Sequence, residues 1–254
     1  METNMSQHDI SDWNRIAAVY ARGSGADGNR IYAQLADVLW QSLGDVRGRT
    51  VLDVGCGAGW FSRLLIDAGA VVVGVDGALE LLKIAGQAAP TSTFIEHDLV
   101  AGLPALDRQF DRVVALMVLQ DLPSIDALLA SVRDVLSPGG RLIFTMPHPC
   151  FFQMRSRRDD VSGRLYRMVP AYLAPEVWRI ESFGGHNHYH RSLTFYFEAL
   201  RAAGFAVTRL YEPEHMPGPG TAPEDEAFWR GIPVFLLIEA MPLAPAGTSG
   251  SAAA

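Results

Sequence analysis

A buried strand that runs into glycines at alternate positions, and then straight into a helix, leaves a chain few folds to adopt. Here the stretch reads Val51-Leu52-Asp53-Val54-Gly55-Cys56-Gly57-Ala58-Gly59-Trp60. Glycine lets the backbone pass close to a ligand where a Cβ would intrude, and the amides opening the next helix favour anionic groups. Asp76 ends the following apolar run about 20 residues on, where an acid in such a sheet typically meets ribose hydroxyls. The flanking segments alternate in the same way. Residues 50–54, 70–75, 93–96, 112–119 and 141–146 read as strands, and 60–68, 78–88 and 124–136 as helices, with a Pro138-Gly139-Gly140 turn before the fifth strand. Continuous apolar strands separated by helices predict a parallel sheet covered on both faces.

Two helices, at 13–21 and 30–43, precede the sheet around a glycine-rich break at 23–28. A helix at 192–203 and strands at 205–211 and 234–240 follow it, and those two strands suit an added hairpin at the sheet edge. The expected class is α/β and Rossmann-like: a seven-stranded, mostly parallel sheet with an antiparallel edge strand, N-terminal helices and a lid insert. The insert is the stretch 147–190, rich in Arg, Tyr, Phe and His and without a clear period. It is too long for a passive connection. The dehydrogenase fingerprint spaces its glycines G-x-G-x-x-G. Here the third glycine comes one position early, which weakens a nicotinamide-linked (NAD(P)) oxidoreductase as the alternative reading.

Leu52-Asp53-Val54-Gly55-Cys56-Gly57-Ala58-Gly59 resembles the first motif of class I S-adenosylmethionine (SAM)-dependent methyltransferases. The resemblance continues in order through Gly74-Val75-Asp76, His97-Asp98-Leu99, Phe110-Asp111-Arg112-Val113-Val114 and Leu136-Ser137-Pro138-Gly139-Gly140-Arg141-Leu142. It implies the class I methyltransferase fold, with SAM as cofactor and S-adenosylhomocysteine (SAH) as product. It also implies roles: Gly55, Gly57 and Gly59 beside the methionine moiety, Asp53 supporting their loop, and Asp76, with Gly77 next to it, at the ribose. Asp98 would accept from the adenine amino group, Leu99 pack on the ring, and Met117 line the opposite wall. Trp13 and Tyr20 resemble a pattern in the N-terminal helices of small-molecule members, where the tyrosine reaches the cofactor. The chain then divides as one methyltransferase domain over 1–254: a helical cap (1–45), a SAM-binding core (50–146), an acceptor-binding lid insert (147–191), a closing helix and hairpin (192–242) and a disordered tail (243–254). A non-catalytic SAM-binding protein is the further alternative, against which motifs intact on every strand weigh.

Met146-Pro147-His148-Pro149-Cys150-Phe151 and His190-Arg191-Ser192-Leu193-Thr194 resemble a bacterial subgroup of small-molecule methyltransferases. His148 follows the fifth strand and is expected to face the crevice of the glycine turn. His190 opens the next helix. Both are candidate general bases. Methyl transfer from a sulfonium draws mainly on alignment, and a base is needed only where the acceptor carries a proton to lose. His186, His188 and His190 alternate, so a strand would place them on one face. With His148 or Glu181 such a set suits a divalent metal, but a polar lid without metal is the expectation.

The net charge of −7 supplies no field for a phosphate backbone. Leu119-Gln120-Asp121-Leu122-Pro123 also differs from the Asn/Asp-Pro-Pro-aromatic motif of enzymes that methylate exocyclic amines of bases. Cys56 and Cys150 are expected as reduced thiols, and no apolar run reaches membrane-spanning length. The expected protein is a cytoplasmic enzyme acting on a small-molecule acceptor, with no nucleic-acid or membrane partner, as a monomer or homodimer.

Overall fold

The structure, a computed structural model, describes residues 2–25, 29–152, 155–169, 171–218 and 220–243. Runs of Val, Ile, Leu and Phe, which suit a pleated surface covered on both sides, form β1 (Thr50–Val54), β2 (Val71–Asp76), β3 (Thr93–Glu96), β4 (Phe110–Leu116) and β5 (Leu136–Pro147). These five pair in parallel. With β10 (Phe205–Tyr211) and β11 (Phe235–Pro242) they make a seven-stranded sheet in the order β10-β11-β5-β4-β1-β2-β3. The one antiparallel strand, β11, lies at that end of the sheet, between β5 and β10.

Adjacent residues of one strand serve opposite faces. Leu52, Val113 and Phe144 meet Leu128 and Val132 of α5 (Asp126–Val135) and Tyr196 and Leu200 of α6 (Leu193–Ala202). Val51, Val114 and Ile143 meet Leu35, Leu39 and Leu43 of α2 (Arg30–Leu43) and Phe61 and Leu65 of α3 (Trp60–Asp67). Each such side chain contributes about 1.5–3 kcal/mol on burial. The remaining helices are α1 (Glu2–Gly23), α4 (Leu79–Ala88) and α7 (Pro223–Arg230).

The differences from the sequence reading have local causes. Helix α1 begins well before residue 13, because its inner face carries buried Ser6, Asp9 and Asp12, which hide the apolar period. Helix α7 lies in the stretch between the strands expected at 205–211 and 234–240. It starts with Pro223 and has Glu224, Asp225 and Glu226 in its first turn, each favourable at a helix N-terminus. The insert holds two short hairpins, β6–β7 (Ser156–Arg158, Leu165–Arg167) and β8–β9 (Glu176–Ile180, His186–His190), several of whose residues are exposed. Pro138-Gly139-Gly140 lies within β5, at a shift in its register with β4. The expected tail, apart from Leu243, and residues 26–28 of the glycine-rich break lie outside the described residues.

Gly59 holds α3 against α4. Its φ is +76°, and a Cβ there would stand 2.8 Å from Ala85 Cβ and 3.0 Å from Ala85 Cα. Gly59→Ala is therefore expected to destabilise the fold by about 2–3 kcal/mol, from left-handed backbone strain together with overpacking. Urea denaturation checks this, and a loss below about 0.5 kcal/mol would contradict the packing described.

Candidate active site

The register of β1 on β2 pairs Asp53 with Gly74 and Val54 with Val75, so both strands end side by side. The Gly55 amide donates to the Val75 carbonyl at 2.7 Å. The Gly57 amide donates to Asp76 Oδ2, and the Ala78 amide to Asp76 Oδ1, each at 2.8 Å. Gly55 and Gly57 have φ of +65° and +53°; a Cβ on Gly55 would lie 2.5 Å from Val118 Cγ2. Asp53 sits beneath the turn, accepting from the Ser62 hydroxyl at 2.6 Å, and burial pushes its carboxyl up to about 7 against that bond.

A cavity of about 670 Å³, open mouth included, lies over the turn. Of the residues predicted for the cofactor, Tyr20, Gly55, Gly57, Asp76, Gly77, Asp98, Leu99 and Met117 line it. Asp53 and Gly59 do not: one supports the turn from below and the other faces α4. Met117 has φ +58°, uncommon outside glycine. That turn ends β4 at Leu116, short of the expected 119, and directs the chain into a 3-10 turn, Leu119–Asp121. Asp98 caps the turn after β3, accepting from the Val100 amide at 3.0 Å, and also takes the Ser6 hydroxyl at 2.6 Å.

Sequence reasoning missed Ser6, Asp9 and Ile10 of α1, and Asp121, Leu122 and Pro123 beyond β4, all on the cavity wall. The spacing of Ser6, Asp9, Trp13 and Tyr20 along one helix face is the signal that could have found the first group. The wall is acidic, carrying Asp9, Asp76, Asp98 and Asp121 and no Lys, Arg or His among the described residues. Burial raises the Asp76 carboxyl against the amides of Ala78, Gly57 and Gly77. Burial likewise holds Asp121 well above the usual carboxylate range, with the Gln120 hydrogen bond opposing and the charge of Asp9 adding. The nearby cations are engaged elsewhere: Arg179 with Asp12, and Arg191 with the carbonyls of Leu119, Leu122 and Pro123.

His148 does not line this cavity, contrary to the expectation that it faces it, and neither does His190. They share a smaller pocket with Trp178, His188, Tyr189 and Arg191. The cause is strand order. Because β4 separates β1 from β5, the chain leaving β5 emerges about 10 Å from the glycine turn. His148 is then fastened toward β11, its amide donating to Val234 O at 2.8 Å and its Nε2 lying 2.7 Å from Glu212 Oε1. Burial lowers its pKa despite Glu212. His190 Nε2 donates to the Tyr172 carbonyl at 2.9 Å, and its ring stacks on Trp178 at 4.6 Å. Asp9 of the cavity wall takes two hydrogen bonds from the insert, from the Tyr189 hydroxyl at 2.6 Å and from Asn187 Nδ2 at 2.8 Å.

His186, His188 and His190 do alternate along a strand, and aromatic rings occupy their surroundings. His186 meets Trp13, and His188 stacks on Phe152. Among the described residues no three His, Cys, Asp or Glu side chains converge as a metal-binding group. Burial lowers His186 to about 4 and His188 to about 3; the neighbouring His186, His190 and Arg191 add to the shift at His188. A histidine depressed in the folded state stabilises the fold above pH 6.5, and that stability is lost as pH falls toward the folded pKa. Relative to wild type, His188→Phe is expected to gain about 2 kcal/mol between pH 7 and pH 5. Paired urea denaturations check this. The comparison with wild type cancels the raised Asp53, Asp76 and Asp121, which pull the opposite way. An unchanged difference between the two proteins at both pH values would mean that His188 takes up its proton as readily in the fold as in the unfolded chain.

Comparison with known proteins agrees with this geometry. A family model described as a methyltransferase domain matches residues 27–210. The demethylmenaquinone methyltransferase of Tropheryma whipplei (strain Twist) is 30% identical over 177 residues, which cover 67% of this chain and 68% of that protein. The trans-aconitate 2-methyltransferase of Azoarcus sp. (strain BH72) is 35% identical over 148 residues, and the match spans 54% of its length. A crystal structure of an S-adenosylmethionine dependent methyltransferase from Mesorhizobium loti superposes with a TM-score of 0.70 at 28% identity, covering 85% of this chain and 99% of that one. The glycine turn, the paired Asp76 and Asp98 and this match over most of the length place the chain in the class I SAM-dependent methyltransferase family.

Proposed function

We propose that the protein transfers the methyl group of SAM to an oxygen or nitrogen atom of a small-molecule acceptor bound in the cavity beneath α1. The observation that carries the reading is that one cavity collects the glycine turn, Asp76 at the end of β2 and Asp98 after β3. The residues suit the cofactor. Asp76 has lone pairs left for ribose hydroxyls and Asp98 for an adenine amino group, while Leu99 offers an apolar face to the ring. Gly55, Gly57 and Tyr20 border the methionine end, with Met117 opposite. When bound, SAM supplies an activated methyl on a sulfonium. The protein's share is to align it with the acceptor and exclude water, which together supply up to about 7–11 kcal/mol.

The insert acts as a lid, with β8–β9 holding α1 over the cavity through Asp9 and Asp12. His148 and His190 brace that lid rather than meet the acceptor. We assign the reaction to the cytoplasm and to a free metabolite, not a nucleic acid, in keeping with the net charge of −7. Among the described residues no helix is long and apolar enough to cross a membrane. Calorimetric titration of cofactor-free protein with SAH tests the cofactor assignment. Saturable one-to-one binding is expected, and no heat from folded protein at any temperature would sink it.

A further inference from the structure

We infer that Asp121 is the acceptor-facing base of this site and that the acceptor is an amine, delivered as its ammonium form. The inference rests on the methyl-transfer reading above. Asp121 ends the 3-10 turn that follows β4, and it lines the main cavity. Its Oδ2 accepts from Gln120 Nε2 at 3.1 Å. Its Oδ1 is shut off from solvent and has no partner. A buried, unpaired carboxylate oxygen is costly, and in a native structure it calls for a donor that arrives with a ligand.

The other acids of the wall differ in this respect. Asp76 holds two amides, Asp98 holds Ser6 and Val100 on one oxygen and Gln7 on the other, and Asp9 holds Tyr189 and Asn187. Asp121 alone among them keeps an oxygen free. Nor is it neutralised from behind. Arg191 spends its guanidinium on the carbonyls of Leu119, Leu122 and Pro123, at 3.1, 2.6 and 2.8 Å, which fixes the loop around Asp121. A wall with carboxylates, the rings of Trp13 and Tyr20, and no cation complements an ammonium group and repels a carboxylate.

The chemistry balances. The Asp121 carboxylate takes one proton from the ammonium nitrogen and frees its lone pair. That pair attacks the methyl carbon in line with sulfur. The carbon–sulfur bond breaks with its electrons going to sulfur, leaving neutral SAH and an N-methylammonium product. The Asp121 carboxyl then returns its proton to solvent. Burial that raises Asp121 makes it a stronger base for this step.

The test uses full-length protein saturated with SAH, titrated calorimetrically with two matched sets: tryptamine, indole-3-acetate and 3-methylindole, then phenethylamine, phenylacetate and ethylbenzene. The amines are expected to bind at least about tenfold more tightly than their carboxylate partners. Asp121→Asn, nearly isosteric, should abolish that preference while SAH affinity stays within about threefold of wild type. Transfer from methyl-labelled SAM to the bound amine should fall about 100-fold in the variant. Raising the pH until the amine arrives unprotonated should restore most of the rate; a merely structural role predicts no such rescue. The tyrosines that face Asp121 (Tyr20, Tyr32 and Tyr196) stay neutral, their pKa values being raised by burial, and Asp9 is present in both proteins. The inference is overturned by no amine binding, by no preference over carboxylates, by a preference that survives in the variant, or by a bound amine that takes no methyl or shows no rescue. A larger loss of SAH affinity in the variant would place Asp121 in the cofactor's own contacts and overturn it too. Wild type that binds no SAH would bring down the underlying reading itself.

Discussion

Replacing Arg191 by methionine is expected to cost about 3–4 kcal/mol of stability and to weaken SAH binding with it. The guanidinium lies buried and donates to three backbone carbonyls of one loop, Leu119, Leu122 and Pro123. It also packs over the rings of Phe195 at 4.9 Å and Tyr189 at 5.5 Å. A hydrogen bond with one charged partner is worth about 1.5–3 kcal/mol, and bonds sharing one donor group do not add in full. Methionine keeps much of the apolar stem but leaves the carbonyls without a donor. Lysine is expected to recover less than half of the loss, because a single ammonium does not reproduce the planar fork. Urea denaturation of both variants, with SAH titrations beside it, is the measurement. A change under about 1 kcal/mol for Arg191→Met would show that the loop holds its shape without the arginine. Residues 119–123 carry Asp121, Leu122 and Pro123 on the cavity wall, so this arginine from the insert's far side sets the shape of a site it does not enter.

Asp76→Ala is expected to raise the dissociation constant of SAH by roughly 10- to 150-fold, the equivalent of about 1.5–3 kcal/mol. Two losses combine. The ribose hydroxyls lose their acceptor, and the amides of Gly57 and Ala78 lose theirs, so the glycine turn is no longer held to the end of β2. Asp76→Asn keeps one acceptor oxygen and should fall between the two. Calorimetric titration with SAH decides the matter, and unchanged affinity in Asp76→Ala would remove that carboxylate from the cofactor's contacts.

The glycine turn and the strands around it were legible because local chemistry dictates them. Gly55 needs a positive φ and has no room for a Cβ, and β1, β2 and β4 are apolar on both faces. The first half of α1 was not legible, since a helix that faces a polar cavity buries Ser6 and Asp9 where the period expects leucine. The hairpins of the insert escaped for a related reason: β6 and β8 have exposed residues on both sides and show no clean alternation. His148 was misplaced by a topological fact. Its position after a strand pointed correctly to the C-terminal end of the sheet, but only the strand order reveals that β4 stands between it and the cofactor turn. Asp121 is a plain loop acid in the sequence, and its interest appears only when its Oδ1 is found buried without a donor.

The place of β11 has a consequence for assembly on the ribosome. Residues 235–242 fill the gap between β5 and β10, so β10 has no partner and β5 has only β4 until that late segment has emerged. Until then β5 presents an open row of amides and carbonyls, a template for pairing with another nascent chain. The parallel core and its glycine turn can form early, while β10 must wait. A chain stopped short of residue 235 would carry the whole cofactor cradle yet keep an exposed seam, favouring aggregation over a smaller working enzyme.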